Sequence, residues 1–148
     1  MKKLLFSILS LFLIASMFPA AMAAEQSTVV SRQEIELENG VVIVDTLVEY
    51  TNARILGKAA KRTRELYANG VLIGKITLVA AFEYDGTTVS VTSKGVTEAL
   101  TYEGWNYAQN SLTSSGGTVT LDARLTKLFH PSIPFTIIIT CDANGNLS

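Results

Sequence analysis

Cysteine, histidine and tryptophan each occur once in the 148-residue chain, and proline only three times. Each scarcity removes a class of explanation. A lone Cys141 closes no intramolecular disulfide, so no disulfide framework underlies the fold. One histidine, His130, and one cysteine are too few soft donors for a zinc centre. The zinc-protease, phosphate-loop and dinucleotide motifs are missing, as is a G-x-S-x-G nucleophile elbow. No cofactor is therefore expected. Charged residues make up 17% of the chain and the formal net charge is −1. That balance argues against a nucleic-acid partner, which needs a strong basic field.

What the chain does have begins at residue 1. Its first 23 residues read MKKLLFSILSLFLIASMFPAAMA. Lys2 and Lys3 form a positive start, and residues 4–18 are an uncharged apolar run too short to span a bilayer. Pro19 follows, then the small–x–small triplet Ala21-Met22-Ala23. This is the pattern of a cleaved secretory signal peptide. Cleavage after Ala23 leaves ten Lys and Arg against thirteen Asp and Glu, a net charge of −3. The expected product is a secreted, freely released protein with no further membrane span. Its length of about 125 residues suits a single domain. In an oxidising space Cys141 is either a reactive or intermolecular thiol, or a small buried hydrophobe in the last strand.

The remainder reads as successive strands. Ile35 and Leu37 alternate with Glu34, Glu36 and Glu38, and Asn39-Gly40 then marks a tight hairpin into residues 41–50. Residues 71–84 form the longest apolar stretch after the signal and predict a central strand covered on both faces. Asp85-Gly86, Asn69-Gly70 and Gly116-Gly117 mark further turns. They bound strands at 87–93 and 118–128, with a last strand at 135–141. Residues 24–32 are expected to be a loose N-terminal arm, ahead of a domain at 33–148. Residues 53–66 fit either a helix or a strand. Apolar positions recur there at helical spacing, but Gly57 weakens a helix, and a strand would pair across the Asn69-Gly70 turn. Seven or eight short strands predict an all-β fold. An immunoglobulin-like antiparallel sandwich is the leading architecture, with a barrel as the other closure.

Residues 61–148 carry a basic Thr-containing strand, a Tyr-x-x-Gly turn at 67–70 and the block ITLVAAFEYDGTTVSVTS at 76–93. Gly104-Trp105, Ser115-Gly116 and a closing TCDANGNLS follow. In these features the chain resembles uncharacterised small secreted β-sandwich proteins of Gram-positive anaerobic bacteria. The resemblance implies no catalytic or binding residues. It tips residues 60–67 towards strand. It also implies that relatives place a second cysteine in the strand holding Val89 and Val91, which would leave Cys141 as the orphaned half of a cross-sandwich bridge.

Several constellations bear on function. Arg54, Lys58, Lys61, Arg62 and Arg64 place five cations within eleven residues. On a strand Arg62 and Arg64 share a face, with Lys61 opposite. Such a patch suits an anionic cell-wall polymer or acidic glycan, or it is the solvated face of an edge strand. Trp105 and Tyr107 share a strand face, either as an exposed strip for sugar stacking or as a core plug. Asp142, Asn144 and Asn146 open like a calcium loop, but Gly145 is misplaced and the twelfth-position Glu is missing. His130, Ser132 and Asp122 are the one conceivable triad. The leading expectation is a non-catalytic extracellular binding or structural module for a glycan, wall polymer or protein. A small hydrolase, or an inhibitor of one, is the rival.

Overall fold

A computed structural model describes residues 26–37, 40–51 and 57–148. The expected signal segment, Asn39 and Arg54 lie outside the described residues. The described chain is all β, with eight strands and no helix. These are β1 (Gln26–Glu36), β2 (Val41–Thr51), β3 (Lys58–Ala68), β4 (Val71–Tyr84), β5 (Val89–Thr101), β6 (Asn106–Ser115), β7 (Thr118–Thr126) and β8 (Ile133–Thr140). All neighbouring pairs are antiparallel.

The strands form a five-stranded sheet, β1-β2-β3-β4-β5, and a three-stranded sheet, β6-β7-β8. Their facing sides share one hydrophobic core, which includes Leu66, Ile76, Leu78 and Phe82 from the larger sheet and Val119, Leu121, Leu125, Ile137 and Ile139 from the smaller. The layout is sandwich-like, and the two sheets stay separate instead of closing into a barrel. Strand order follows chain order in both sheets. Immunoglobulin-like sandwiches use Greek-key connections, so the likeness here is to their layering and not their strand order.

Local chemistry explains most of the elements. Asn69 and Gly70 both take positive φ, 50° and 76°, the geometry of a turn whose twist matches its flanking strands. Asp85 closes the next turn by accepting hydrogen bonds from the Thr87 and Thr88 amides at 2.9 and 2.6 Å. β4 is an interior strand, as its apolar run predicts, but the expected cover on both faces is not found: Gly74, Ile76, Leu78, Ala80 and Phe82 are buried on the inner face, while Lys75, Val79 and Ala81 on the other are only half-buried. One open reading resolves and two expectations change. Residues 58–66, which fitted either helix or strand, are strand, because β3 pairs along its length with β2 and β4. Residues 26–32 belong to β1 instead of a loose arm, paired with β2 although exposed almost throughout. β3 is an interior strand of its sheet, so its cations do not guard an edge.

Side-chain alternation gives the larger sheet two different faces. Its inner face meets the smaller sheet. Its outer face carries Tyr50 in β2, Ala59, Lys61 and Thr63 in β3, Thr77, Val79 and Ala81 in β4, and Ser93 and Gly95 in β5, as the ladder register requires. No strand of the smaller sheet covers it.

Candidate functional site

Arg62 and Arg64 face inward, towards the second sheet. Their partner is Asp45 on β2, a carboxylate only 2% exposed. Arg62 Nε donates to Asp45 Oδ1 at 2.9 Å, and Arg64 Nη2 lies 3.2 Å from Oδ2. Arg62 Nη1 also donates to the Ile138 carbonyl at 2.7 Å. It thereby ties the larger sheet to β8, the edge strand of the smaller one. A buried carboxylate needs a compensating charge and filled lone pairs, and two guanidinium groups supply both. These arginines are internal struts and present no cationic patch to a polymer. Lys58 pairs with Glu49 at 2.8 Å, and that hydrogen bond raises the lysine's pKa above its ordinary value.

The aromatic pair is likewise inward. Trp105 is 8% exposed and joins the core, with Tyr107 packed beside that core. Burial pushes the Tyr107 phenol up. The Trp105 ring lies 5.8 Å from the His130 ring, tilted at 49°, and Lys127 Nζ stands 5.9 Å from its centroid. No sugar-stacking strip forms from these two rings. The four sequence-selected binding residues are therefore separated into two internal clusters.

The remaining candidates have structural partners. Asp122 accepts hydrogen bonds from Thr136 at 2.7 Å and Ser111 at 3.2 Å, while His130 packs on Trp105, so no triad assembles around Ser132. Asp142 Oδ1 accepts from the Asn144 and Asn146 amides, both at 2.8 Å. The Asn146 side-chain amide, which donates to Oδ2 at 2.7 Å, and then those backbone bonds hold its carboxyl below the usual range and make it the closure of a turn. Among the described residues no group of three or more His, Cys, Asp or Glu is placed to hold a metal ion. Cys141 is 1% exposed, and its thiol is pushed up first by burial and then by Asp142. A protonated, enclosed thiol is neither a nucleophile nor a bridge to another chain. Val89 and Val91 on β5 pack against the core.

One arrangement with room for a ligand, among the described residues, is one that the sequence reading passed over. On the outer face of the larger sheet lies a groove of about 380 Å³. Ala59, Val79 and Ala81 line its floor, Tyr50 and Lys61 stand beside it, and Ser93 and Thr97 add hydroxyls. Gly95 pairs with Val79 in the same row, and the space where its Cβ would stand is open. Just beyond, Thr63 and Thr77 hydroxyls meet at 3.0 Å and Thr77 donates to Glu98 at 3.0 Å. Lys75 bridges to Glu98 at 3.4 Å. The groove is therefore an apolar trough bounded by a polar row. Lys61 makes no ion pair among the described residues. Its signal in the sequence was present but weak: a cation opposite Arg62 and Arg64 on β3, beside strands whose outward residues are unusually small.

No family model, curated protein or solved structure matches the chain.

Proposed function

We propose that this is a secreted, non-catalytic binding module that takes an extracellular acidic glycan or anionic cell-wall polymer on the outer face of its larger sheet. The observation that carries the reading is the groove of Tyr50, Lys61 and a floor of small residues, on a sheet face that, among the described residues, the second sheet does not cover. A sugar ring offers an apolar face and a rim of hydroxyls. A tyrosine beside an alanine–valine floor suits the first, and Ser93 and Thr97 suit the second. Lys61 favours a carboxylate or phosphate on the polymer. A groove laid across the paired strands β2 to β5 also suits a chain-like ligand, because a hydrogen-bonded sheet needs little further ordering on binding. Export is the reading of residues 1–23, and membership of the small secreted β-sandwich group is the reading of residues 61–148. Both are consistent with such a ligand.

The test is retention on insoluble acidic polysaccharide. Tyr50→Ala is expected to weaken retention by about tenfold, the scale of one aromatic stacking contact. Gly95→Phe fills the groove from a position with open space above it, so it should abolish retention while leaving the thermal transition in place. Lys61→Ala should remove most of the salt dependence. Retention unchanged in all three variants would overturn the assignment.

A further inference from the structure

Eight large hydrophobic side chains stand exposed among the described residues, and five of them gather at one end of the molecule. They are Val71, Leu100, Tyr102, Leu128 and Phe129. The meander places there the β1–β2 and β3–β4 turns, the β5–β6 link and the β7–β8 link. A cavity lined by residues from all four connections, among them Gly40, Asn69, Trp105 and His130, shows that they adjoin. Gln26 and Ser148 lie at the opposite end, by the same strand directions.

The tip of this end is a turn of unusual composition. The His130 amide donates to the Lys127 carbonyl at 3.1 Å, so Leu128 and Phe129 occupy the two corner positions. Turn corners favour Gly, Asn, Asp, Ser and Pro, for steric and hydrogen-bonding reasons. Here they hold a leucine that is 76% exposed and a phenylalanine that is 93% exposed. Phe129 also sits at φ 61°, a left-handed conformation that costs a bulky L-residue free energy. Neither residue belongs to the buried core or to the hydrophobic side chains packed against it.

We propose that this end docks on a lipid bilayer by inserting Leu128 and Phe129. The shape decides between occupants. The pair projects from a turn, 76% and 93% exposed, and a fluid bilayer accepts such a wedge without a matching pocket. The layering behind it fits the same medium. Lys127 Nζ lies over the buried Trp105 ring at 5.9 Å and Tyr102 is 40% exposed in the neighbouring link, an ammonium and a phenol of the kind that meet the headgroup level. Trp105 and His130 close the base of the turn beneath them. Lys127 is offset by Glu103 in the neighbouring link, so insertion, not lipid charge, drives the association. This surface lies at the end of the strands, apart from the groove on the sheet face, and the two assignments stand or fall separately.

The test replaces Phe129 with tryptophan and measures its fluorescence against phosphatidylcholine vesicles carrying bromines along the acyl chains. In Phe129→Trp the emission should shift to the blue and be quenched by the brominated lipid. The wild-type protein, whose sole tryptophan is the enclosed Trp105, should show neither change. Adding Leu128→Ser to Phe129→Trp should weaken the vesicle partition by at least about tenfold, the scale of one buried leucine, with 0.5 M salt having little effect. Both positions are exposed, so the thermal transition should stay in place. A tryptophan at 129 that remains unquenched at high lipid overturns the proposal, and so does quenching that disappears in salt. Self-association in sedimentation without lipid binding would show that a second copy covers the tip instead.

Discussion

Asp45 is the residue on which most of the internal electrostatics turns. Its carboxylate is the shared counter-ion of two guanidinium groups that face the core, each less than a fifth exposed. Removing it leaves both cations largely buried without a counter-ion, which typically costs about 3–5 kcal/mol. Asp45→Ala should therefore lower the urea midpoint sharply. Replacing the three together by apolar residues, as in Asp45→Leu with Arg62→Met and Arg64→Met, should recover most of that loss. If Asp45→Ala melted like the wild type, the two arginines would have to be solvated. Cys141 makes a second residue-level claim. Its thiol titrates higher in the folded chain than in the unfolded one. The unfolded state then loses its proton first as pH rises, so the contribution is complete below the ordinary thiol range, about 8.5, and is lost above it. Denaturant stability should decline as pH climbs through that range, and Cys141→Ala should flatten the decline. A thiol reagent should label the native protein slowly and the unfolded protein at once.

At the level of elements, the sequence was legible where local pattern and tertiary packing agree. β4 announces itself by its apolar run, and the Asn69-Gly70 and Asp85-Gly86 turns by backbone chemistry. The failures share a physical cause. Residues 60, 62, 64 and 66 of β3 face the core as Ala, Arg, Arg and Leu. A polar residue in that alternation is read as outward unless its partner is known, and Asp45 lies 17 and 19 residues away. β6 carries the polar run AQNSLTSS, which gives no apolar signal because it forms an edge of its sheet. β1 shows almost no alternation, being held by its ladder to β2 and exposed on both faces. That last arrangement has a consequence for dynamics. A strand with little buried side-chain area opens locally at low free-energy cost. Amides that bond β1 to β2 should exchange with solvent at least about a hundredfold faster than those joining β3 to β4. Equal protection of the two ladders would mean that β1 is anchored by more than its backbone.

The whole molecule combines a rigid frame with two surfaces that the frame does not use. The apolar core between the sheets does not explain why a groove of small side chains stays open beside Tyr50 and Lys61, or why Leu128 and Phe129 crown a turn. Neither surface was foreseen in the sequence. The residues chosen there, Trp105, Tyr107, Arg62 and Arg64, were selected for chemistry, and the fold spends that chemistry on its own interior. The proposed binding face is built from less conspicuous side chains, and that face becomes visible only once the strand order shows that three strands pack on one side of five. The central claim is the groove, and amide chemical shifts test it most directly. Titrating the labelled protein with a soluble uronic-acid polysaccharide should move the resonances of residues 59–61, 79–81 and 93–97 together, with one common affinity, and leave Asp45, Arg62 and Arg64 side-chain signals in place. A titration that moves nothing on the outer face, or moves only signals elsewhere, would contradict it.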